Sequence, residues 1–162
     1  MPGTPILTQI EEAMATLIQG MQPGLFHYSW GSQAVNETDL AKVTFPCANI
    51  YLDSDTSLDD PNGSHCGAYY HESIFRVEVF ARLDEERANP KWAINAELNK
   101  AYDDLRKLFG RNYNLSGTAD TIMYQSMQRE FVKNGDIFIP SKMITYWEVR
   151  WESDRSDPDL VA

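Results

Sequence analysis

The sequence is poor in cysteine and in long apolar runs, and each shortage excludes a class of protein. Two cysteines, Cys47 and Cys66, among 162 residues do not suggest a disulfide-stabilised secreted domain, so we expect free thiols. No apolar run approaches the roughly 18 residues that a membrane helix needs. Residues 1–7 lack the basic start and apolar stretch of a secretory signal. We therefore expect a protein that folds in the cytoplasm.

Basic residues are also scarce, because 14 Lys and Arg stand against 24 Asp and Glu. The formal net charge is −10 and the isoelectric point is near 4.6. A field of this sign repels phosphate backbones, which argues against specific binding of DNA or RNA. The same field is compatible with DNA that moves past the protein without being held.

The common motifs of catalysis are missing as well. The sequence has no phosphate-binding G-x-x-x-x-G-K-S/T loop, no glycine trio leading from a strand into a helix, and no G-x-S-x-G nucleophile turn. Neighbouring acids such as Glu11-Glu12 and Asp103-Asp104 point in different directions, so they do not form a general acid and base pair. We expect no enzyme and no cofactor. The alternative is an enzyme or small-ligand binder whose deep pocket is built from distant residues.

One acidic segment begins like a calcium loop. Leu58 stands where the turn glycine belongs and Ser64 where the final glutamate belongs, so the segment is not an EF-hand. We expect a solvated acidic loop, and an irregular cation site is the alternative. The aspartates concerned are Asp53, Asp55, Asp59 and Asp60.

Soft metal ligands are also grouped. His65, Cys66 and His71 fall within seven positions, but a structural zinc needs four ligands and the sequence offers no C-x-x-C or second pair. Cys47 and His27 would have to join through the fold. We therefore expect a free cysteine, two surface histidines and no metal.

The composition that is present is that of one globular domain. Hydrophobic residues make up 43% and charged residues 23% of the chain, which separates it from disordered sequences. A length of 162 residues suits a single domain covering 1–162 and is enough to bury a core.

The first predicted element is an amphipathic helix. Thr4 is the predicted N-cap and Pro5 suits the first helical position. Gly20 and the Pro23-Gly24 pair end the helix. Its apolar side chains recur with helical period: Ile6, Ile10, Met14, Leu17, Ile18 and Met21.

Three strands are predicted next. They cover residues 25–30, 49–53 and 71–83, and the last of these has the most regular alternation of side chains. A polar loop, 31–42, separates the first two strands. A long loop rich in Asp, Ser, Asn and Gly, 54–68, separates the second from the third, and loops of this length are usually functional or mobile.

A second helix is predicted over residues 90–109. Gly110 stands where the C′ glycine of a helix belongs. The apolar side chains again follow a helical stripe: Ile94, Leu98, Ala101, Leu105 and Leu108.

The last third of the chain reads as a β-hairpin. Residues 121–132 and 136–151 alternate on either side of Asn134-Gly135, a strong hairpin-turn signal. Pro140 predicts a bulge, break or edge in the second arm. Residues 153–162 are predicted to be a flexible acidic tail.

Together these elements predict the fold class. Each helix has one apolar face that needs cover, and one sheet can cover both. We predict an α+β fold in which a mixed, largely antiparallel sheet of about four to five strands packs with two main helices.

Aromatic residues, 12% of the chain, are grouped on the predicted strands. We expect most in the core. In the last strand, alternation turns Trp147 and Trp151 to one face and Tyr146 and Arg150 to the other. One set is expected to meet a partner, because Tyr, Trp and Arg are enriched at interfaces. The candidate interface residues are Phe26, Tyr28, Trp30, Tyr69, Tyr70, Tyr146, Trp147, Arg150 and Trp151.

The layout resembles the tail terminator, or tail completion, proteins of tailed bacteriophages and the related neck proteins. The resemblance lies in the order of elements over nearly the whole chain. It is carried by residues 4–21, 74–81, 93–109 and 146–151.

The resemblance implies a structural virion protein that assembles in the host cytoplasm. Its copies would form a closed ring, commonly a hexamer, that caps the tail tube and joins it to the head connector. DNA would pass through the ring without specific binding, and no membrane would be involved. Another neck, tail-tube, baseplate or head-closure protein of the same assembly is the alternative.

Overall fold

The computed structural model describes residues 3–21, 27–28, 46–58, 68–81, 90–134 and 137–154. Two long helices and five strands account for most of them. In chain order they are α1 (Ile6–Gln19), β1 (His27–Tyr28), β2 (Cys47–Leu58), β3 (Ala68–Ala81), α2 (Pro90–Arg111), β4 (Thr121–Asn134) and β5 (Ile137–Asp154).

The strands form one sheet in the order β1-β2-β3-β5-β4. The short β1 runs parallel to β2, and the other three pairings are antiparallel. The predicted α+β fold, with a largely antiparallel sheet and two main helices, is confirmed. Within the described ranges, neither helix combines the length and the apolar content needed to cross a bilayer.

Both helices pack on the same side of the sheet, which we call the inner face. It is lined by alternate residues of β3 and β5, among them Phe75, Val77 and Val149, all fully buried. Phe109 of α2 meets Trp147 of β5 edge to face, with ring centroids 4.7 Å apart. Burying each large apolar side chain contributes about 1.5–3 kcal/mol, so this layer supplies the main stabilising term of the fold.

The helix ends differ from prediction by a few residues. Pro5, not Thr4, is the N-cap of α1, and the Thr4 carbonyl instead accepts a hydrogen bond from Gln9 Nε2 at 2.6 Å. The α2 helix continues through Gly110, so the predicted C′ position was wrong. The left-handed backbone comes later, at Leu115, Ser116 and Gly117, with φ of 48°, 60° and 89°.

The strand β2 is much longer than the predicted 49–53. It continues to Leu58, and β3 begins at Ala68, so the predicted loop was wrong at both ends. Residues 59–67 lie outside the described part of the chain. So do residues 31–42, residues 82–83 and all of the predicted strand 25–30 except His27 and Tyr28.

The predicted hairpin is confirmed, with a small shift in its turn. Asn134 pairs with Ile137, so the two residues between the arms are 135–136, which lie outside the described residues. The irregularity predicted at Pro140 is also confirmed. Phe131 pairs with Ser141 and Lys133 with Phe138, so two residues of β5 oppose one residue of β4.

The predicted flexible tail begins too early. Ser153 and Asp154 belong to β5, and Ser153 is only 1% exposed. Its pairing with Tyr69 of β3 holds this end of the strand in the sheet. Residues 155–162 lie outside the described ranges, so the rest of that prediction stays a prediction.

Candidate interaction surface

The sheet has a second side, which we call the outer face. It is built from the residues that alternate with those of the inner face, such as Glu78 and Ile144, which pair across β3 and β5. Cys47, Phe80 and Ile144 are buried there, but they do not belong to the core cluster that joins the two helices to the sheet. The outer face is therefore a separate surface layer.

The centre of the outer face carries a row of large side chains, the Tyr-Arg-Tyr row. The register aligns Tyr51 of β2 with Arg76 of β3, and Arg76 with Tyr146 of β5. The guanidinium of Arg76 lies 5.0 Å from the centre of the Tyr51 ring, a cation–π distance. All three side chains are half-buried, so part of each is open to a partner.

Arg76 is incompletely satisfied within one copy. Its Nε is buried and makes no hydrogen bond, although it lies 3.5 Å from Glu78 Oε1, within ion-pair distance but poorly aligned. A buried donor without an acceptor costs about 1–3 kcal/mol. The Arg76 side chain as a whole is 33% exposed between the two tyrosines, so a partner can contact it there.

Ion pairs link the charges of the outer face across strands. Lys142 Nζ lies 3.1 Å from Glu130 and 3.6 Å from Glu78. Burial opposes the charge on Lys142, but the hydrogen bond and charge of Glu130 and the charge of Glu78 outweigh it, so the pKa of Lys142 is raised. Arg150 Nε donates to Glu148 Oε1 at 2.8 Å. Because these charges are matched within the sheet, a partner can cover them at a reduced desolvation cost.

The outer face becomes more open toward Arg150. Cys47, Asn49 and Glu78 are buried at one end, whereas the Arg150 side chain is 52% exposed and Met123 is 39% exposed.

The burial of Cys47 raises the pKa of its thiol to about 11, so this cysteine is a packed apolar group at neutral pH and not a nucleophile.

The structure divides the interface residues predicted from the sequence. Tyr146 and Arg150 lie on the outer face and are partly or largely exposed, as the alternation predicted. Tyr70 lies there too and is half-buried. Trp147 and Trp151 were wrong as interface residues, because they point to the inner face and are only 2% and 4% exposed.

The other four predicted interface residues cannot be placed as side chains. Phe26 and Trp30 lie outside the described residues. Tyr28 belongs to β1 and Tyr69 to β3, but only their backbone is described.

The inner face carries a polar network that was not predicted from the sequence. His71 Nδ1 lies 3.1 Å from Asp55 Oδ2, and His71 Nε2 lies 3.0 Å from Ser153 Oγ, so both ring nitrogens are within hydrogen-bond distance of a partner. Ser73 Oγ donates to Asp55 Oδ1 at 2.6 Å and accepts from Trp151 Nε1 at 2.8 Å. The network joins β2, β3 and β5 where the prediction placed a loop and a tail.

The Asp55, His71 and Ser153 arrangement has the order of contacts found in serine hydrolases. A nucleophile must reach its substrate, however, and Ser153 is almost fully buried within a regular strand. In this conformation these contacts hold the ends of β2, β3 and β5 together. We call this group of contacts the clamp.

The metal-ligand residues do not converge in the part of the chain that is described. No group of three or more His, Cys, Asp and Glu side chains lies together within it. Asp53 and Asp55 belong to β2 and not to a loop. Asp59, Asp60, His65 and Cys66 lie outside the described residues.

The residues at the centre of the outer face were also missed. In the sequence, Tyr51 and Arg76 each alternate with apolar neighbours, but one strand alone does not show which strand it pairs with. The register between β2 and β3 is the information that brings them together, and a single sequence does not contain it.

The comparisons with known proteins do not place the chain in a family. No protein-family model matches it, and no curated protein matches it significantly.

Proposed function

We propose that this protein is a structural subunit that assembles with copies of itself through the outer face of its sheet. In line with the resemblance of its layout, the assembly is a ring, commonly a hexamer, that ends a bacteriophage tail tube and joins it to the head connector. The subunit is made in the host cytoplasm and ends in the virion.

The Tyr-Arg-Tyr row carries this proposal. Tyr and Arg are the residue types that contribute most to protein interfaces when they lie at the centre of a patch. Tyr51, Arg76 and Tyr146 form such a centre, with exposed Met123 and Arg150 nearby on the same face.

The charge of the chain supports the position in a tail. A net charge of −10 keeps DNA from adhering to the walls of a ring through which it passes. It also favours solubility of the free subunit before assembly.

The test is the mass of the assembly as a function of protein concentration, measured by native mass spectrometry. The wild-type chain is expected to give a discrete ring mass. The double variant Tyr51→Ala/Tyr146→Ala is expected to need a protein concentration at least about tenfold higher than the wild-type chain to assemble, because each tyrosine contributes more than about 1 kcal/mol to the contact.

Tyr102→Ala is the matched control, because Tyr102 is a half-buried tyrosine that contacts the Tyr124 ring, a residue of the inner face. A wild-type chain that remains monomeric at every concentration, alone and with tail tubes, overturns the proposal. Unchanged assembly of the double variant rejects the outer face as the contact.

A further inference from the structure

Charge is unevenly distributed along the chain. The α2 helix carries five basic and three acidic residues, a net charge of +2. Because the whole chain has a net charge of −10, the rest of the chain carries −12. A basic helix in an acidic protein is suited to pairing with another copy of the same chain.

The basic residues are concentrated at the C-terminal end of α2. Lys107 and Arg111 are both exposed and lie one turn apart on the helix, where like charges repel. Lys107 is held by Asp103, whose hydrogen bond raises the pKa of Lys107, and Arg111 opposes that effect. We call Lys107, Arg111 and Tyr113 the basic end.

Tyr113 adds an aromatic group to the basic end. Its side chain is 59% exposed, a high value for a large hydrophobic residue. The backbone around it is fixed, because the Tyr113 carbonyl accepts from the Ile122 amide at 2.7 Å and the neighbouring Leu115 is fully buried. An exposed tyrosine on a fixed backbone, two residues after Arg111, adds a residue type that is enriched at interface hot spots.

The outer face has the opposite charge. Its described side chains include five acids and three bases, a net −2, by the register of β2 to β5. The acids are Glu72, Glu78, Glu130, Glu148 and Glu152, and the bases are Arg76, Lys142 and Arg150.

At one corner of that face, Glu152 lies near a further acid, Asp120, which comes just before β4. Burial and then the charge of Glu152 raise the pKa of Asp120, and the Asp120 amide donates to the Arg150 carbonyl at 2.9 Å. The two surfaces thus carry groups of opposite charge, with exposed Arg111 on the basic end and Asp120 with Glu152 at the corner of the outer face.

We propose that the basic end of one copy docks on the Asp120–Glu152 corner of the outer face of the next copy. This inference rests on the proposed function and names the surface of the second copy that meets this corner of the outer face. Since α2 lies on the inner side of the sheet, the contact is front to back and uses two different surfaces. Contacts of that kind generate rings when the rotation closes.

The test uses charge reversal and the native mass of the assembly. Arg111→Glu and Glu152→Lys are each expected to raise the concentration for half-assembly by about tenfold, since both bring like charges together. The double variant Arg111→Glu/Glu152→Lys is expected to recover assembly, because the reversed charges again attract.

Lys100→Glu is the matched control. It makes the same charge change on α2, at a residue that pairs with Asp104 within the helix, and it is expected to leave assembly unchanged. Circular dichroism confirms that each variant is folded.

The possible failures are distinguishable. A wild-type chain that never assembles overturns the proposed function and this inference with it. A wild-type ring that Arg111→Glu does not weaken, or a double variant that stays as weak as the single ones, overturns this inference alone.

Discussion

The imidazole of His71 lies flat on the indole of Trp151, with ring centroids 3.9 Å apart and planes 8° from parallel. His71 belongs to β3 and Trp151 to β5, and the register pairs them directly. The stack covers the end of the apolar core while both ring nitrogens of His71 are hydrogen-bonded. His71 thus covers the edge of the apolar core while both of its ring nitrogens keep hydrogen-bond partners.

Replacing His71 by alanine should destabilise the fold. The variant loses two hydrogen bonds and a ring contact and leaves Ser153 without its hydrogen-bond partner, at a cost of about 1–3 kcal/mol. Urea unfolding followed by tryptophan fluorescence measures the change. Ser57→Ala is the control, because exposed Ser57 pairs with His71 in the ladder. Equal midpoints for the two variants would mean that the clamp contributes nothing.

Cys47 should be unreactive in the folded protein. Burial raises the pKa of its thiol from 9.0 to about 11, so the thiol stays protonated through neutral and mildly alkaline pH. In a Cys66→Ser background, labelling by a thiol reagent should be slow at pH 8 and fast after denaturation. Rapid labelling of the folded chain at pH 8 contradicts the burial.

The same shift has a consequence for alkaline stability. A folded pKa above the unfolded value means that the stabilising contribution of Cys47 is complete below pH 9.0 and is lost as the pH rises through about 11. The free energy of unfolding, measured between pH 9.0 and about 11, should therefore fall less steeply with pH in Cys47→Ala than in the wild-type chain. An equal dependence on pH in the two proteins excludes the thiol as the cause.

Two glycines near the end of α2 should respond oppositely to alanine. Gly110 is helical, with open space around its Cβ position, so Gly110→Ala should stabilise by about 0.5–1 kcal/mol. Gly117 has φ of 89° and equally open space, so Gly117→Ala should destabilise by about 1–2 kcal/mol. Thermal unfolding measures both, and effects of the same sign would contradict the assigned backbone.

Much of the fold could be predicted from local patterns. The α1 stripe and the alternation in β3 and β5 each follow from side chains that face one core, and Asn134-Gly135 located the hairpin. Helix ends were less predictable. Gly110 satisfies the rule for a C′ glycine, yet the helix passes through it, and the turn that follows is fixed by the burial of Leu115.

The polar end of β2 could not be predicted because tertiary contacts override local preference there. Asp and Ser are depleted in strands, so residues 54–58 were expected to form a loop. Asp55 is instead held by His71 and Ser73, which the ladder brings alongside. The outer face escaped prediction for the same reason, since Tyr51, Arg76 and Tyr146 meet only through the register of three strands.

The position of β5 between β3 and β4 has a consequence for how the protein is synthesised. The β3 residues pair with partners 60 positions away (Ala81 with Ser141) to 86 positions away (Ala68 with Asp154). Such distant contacts slow folding, and β5 is the last of the described strands to leave the ribosome. Until it emerges, the two halves of the sheet have no strand to join them, and the apolar sides of α1 and α2 lack much of their cover. Nascent chains of this protein should therefore depend on chaperones until β5 has left the ribosome.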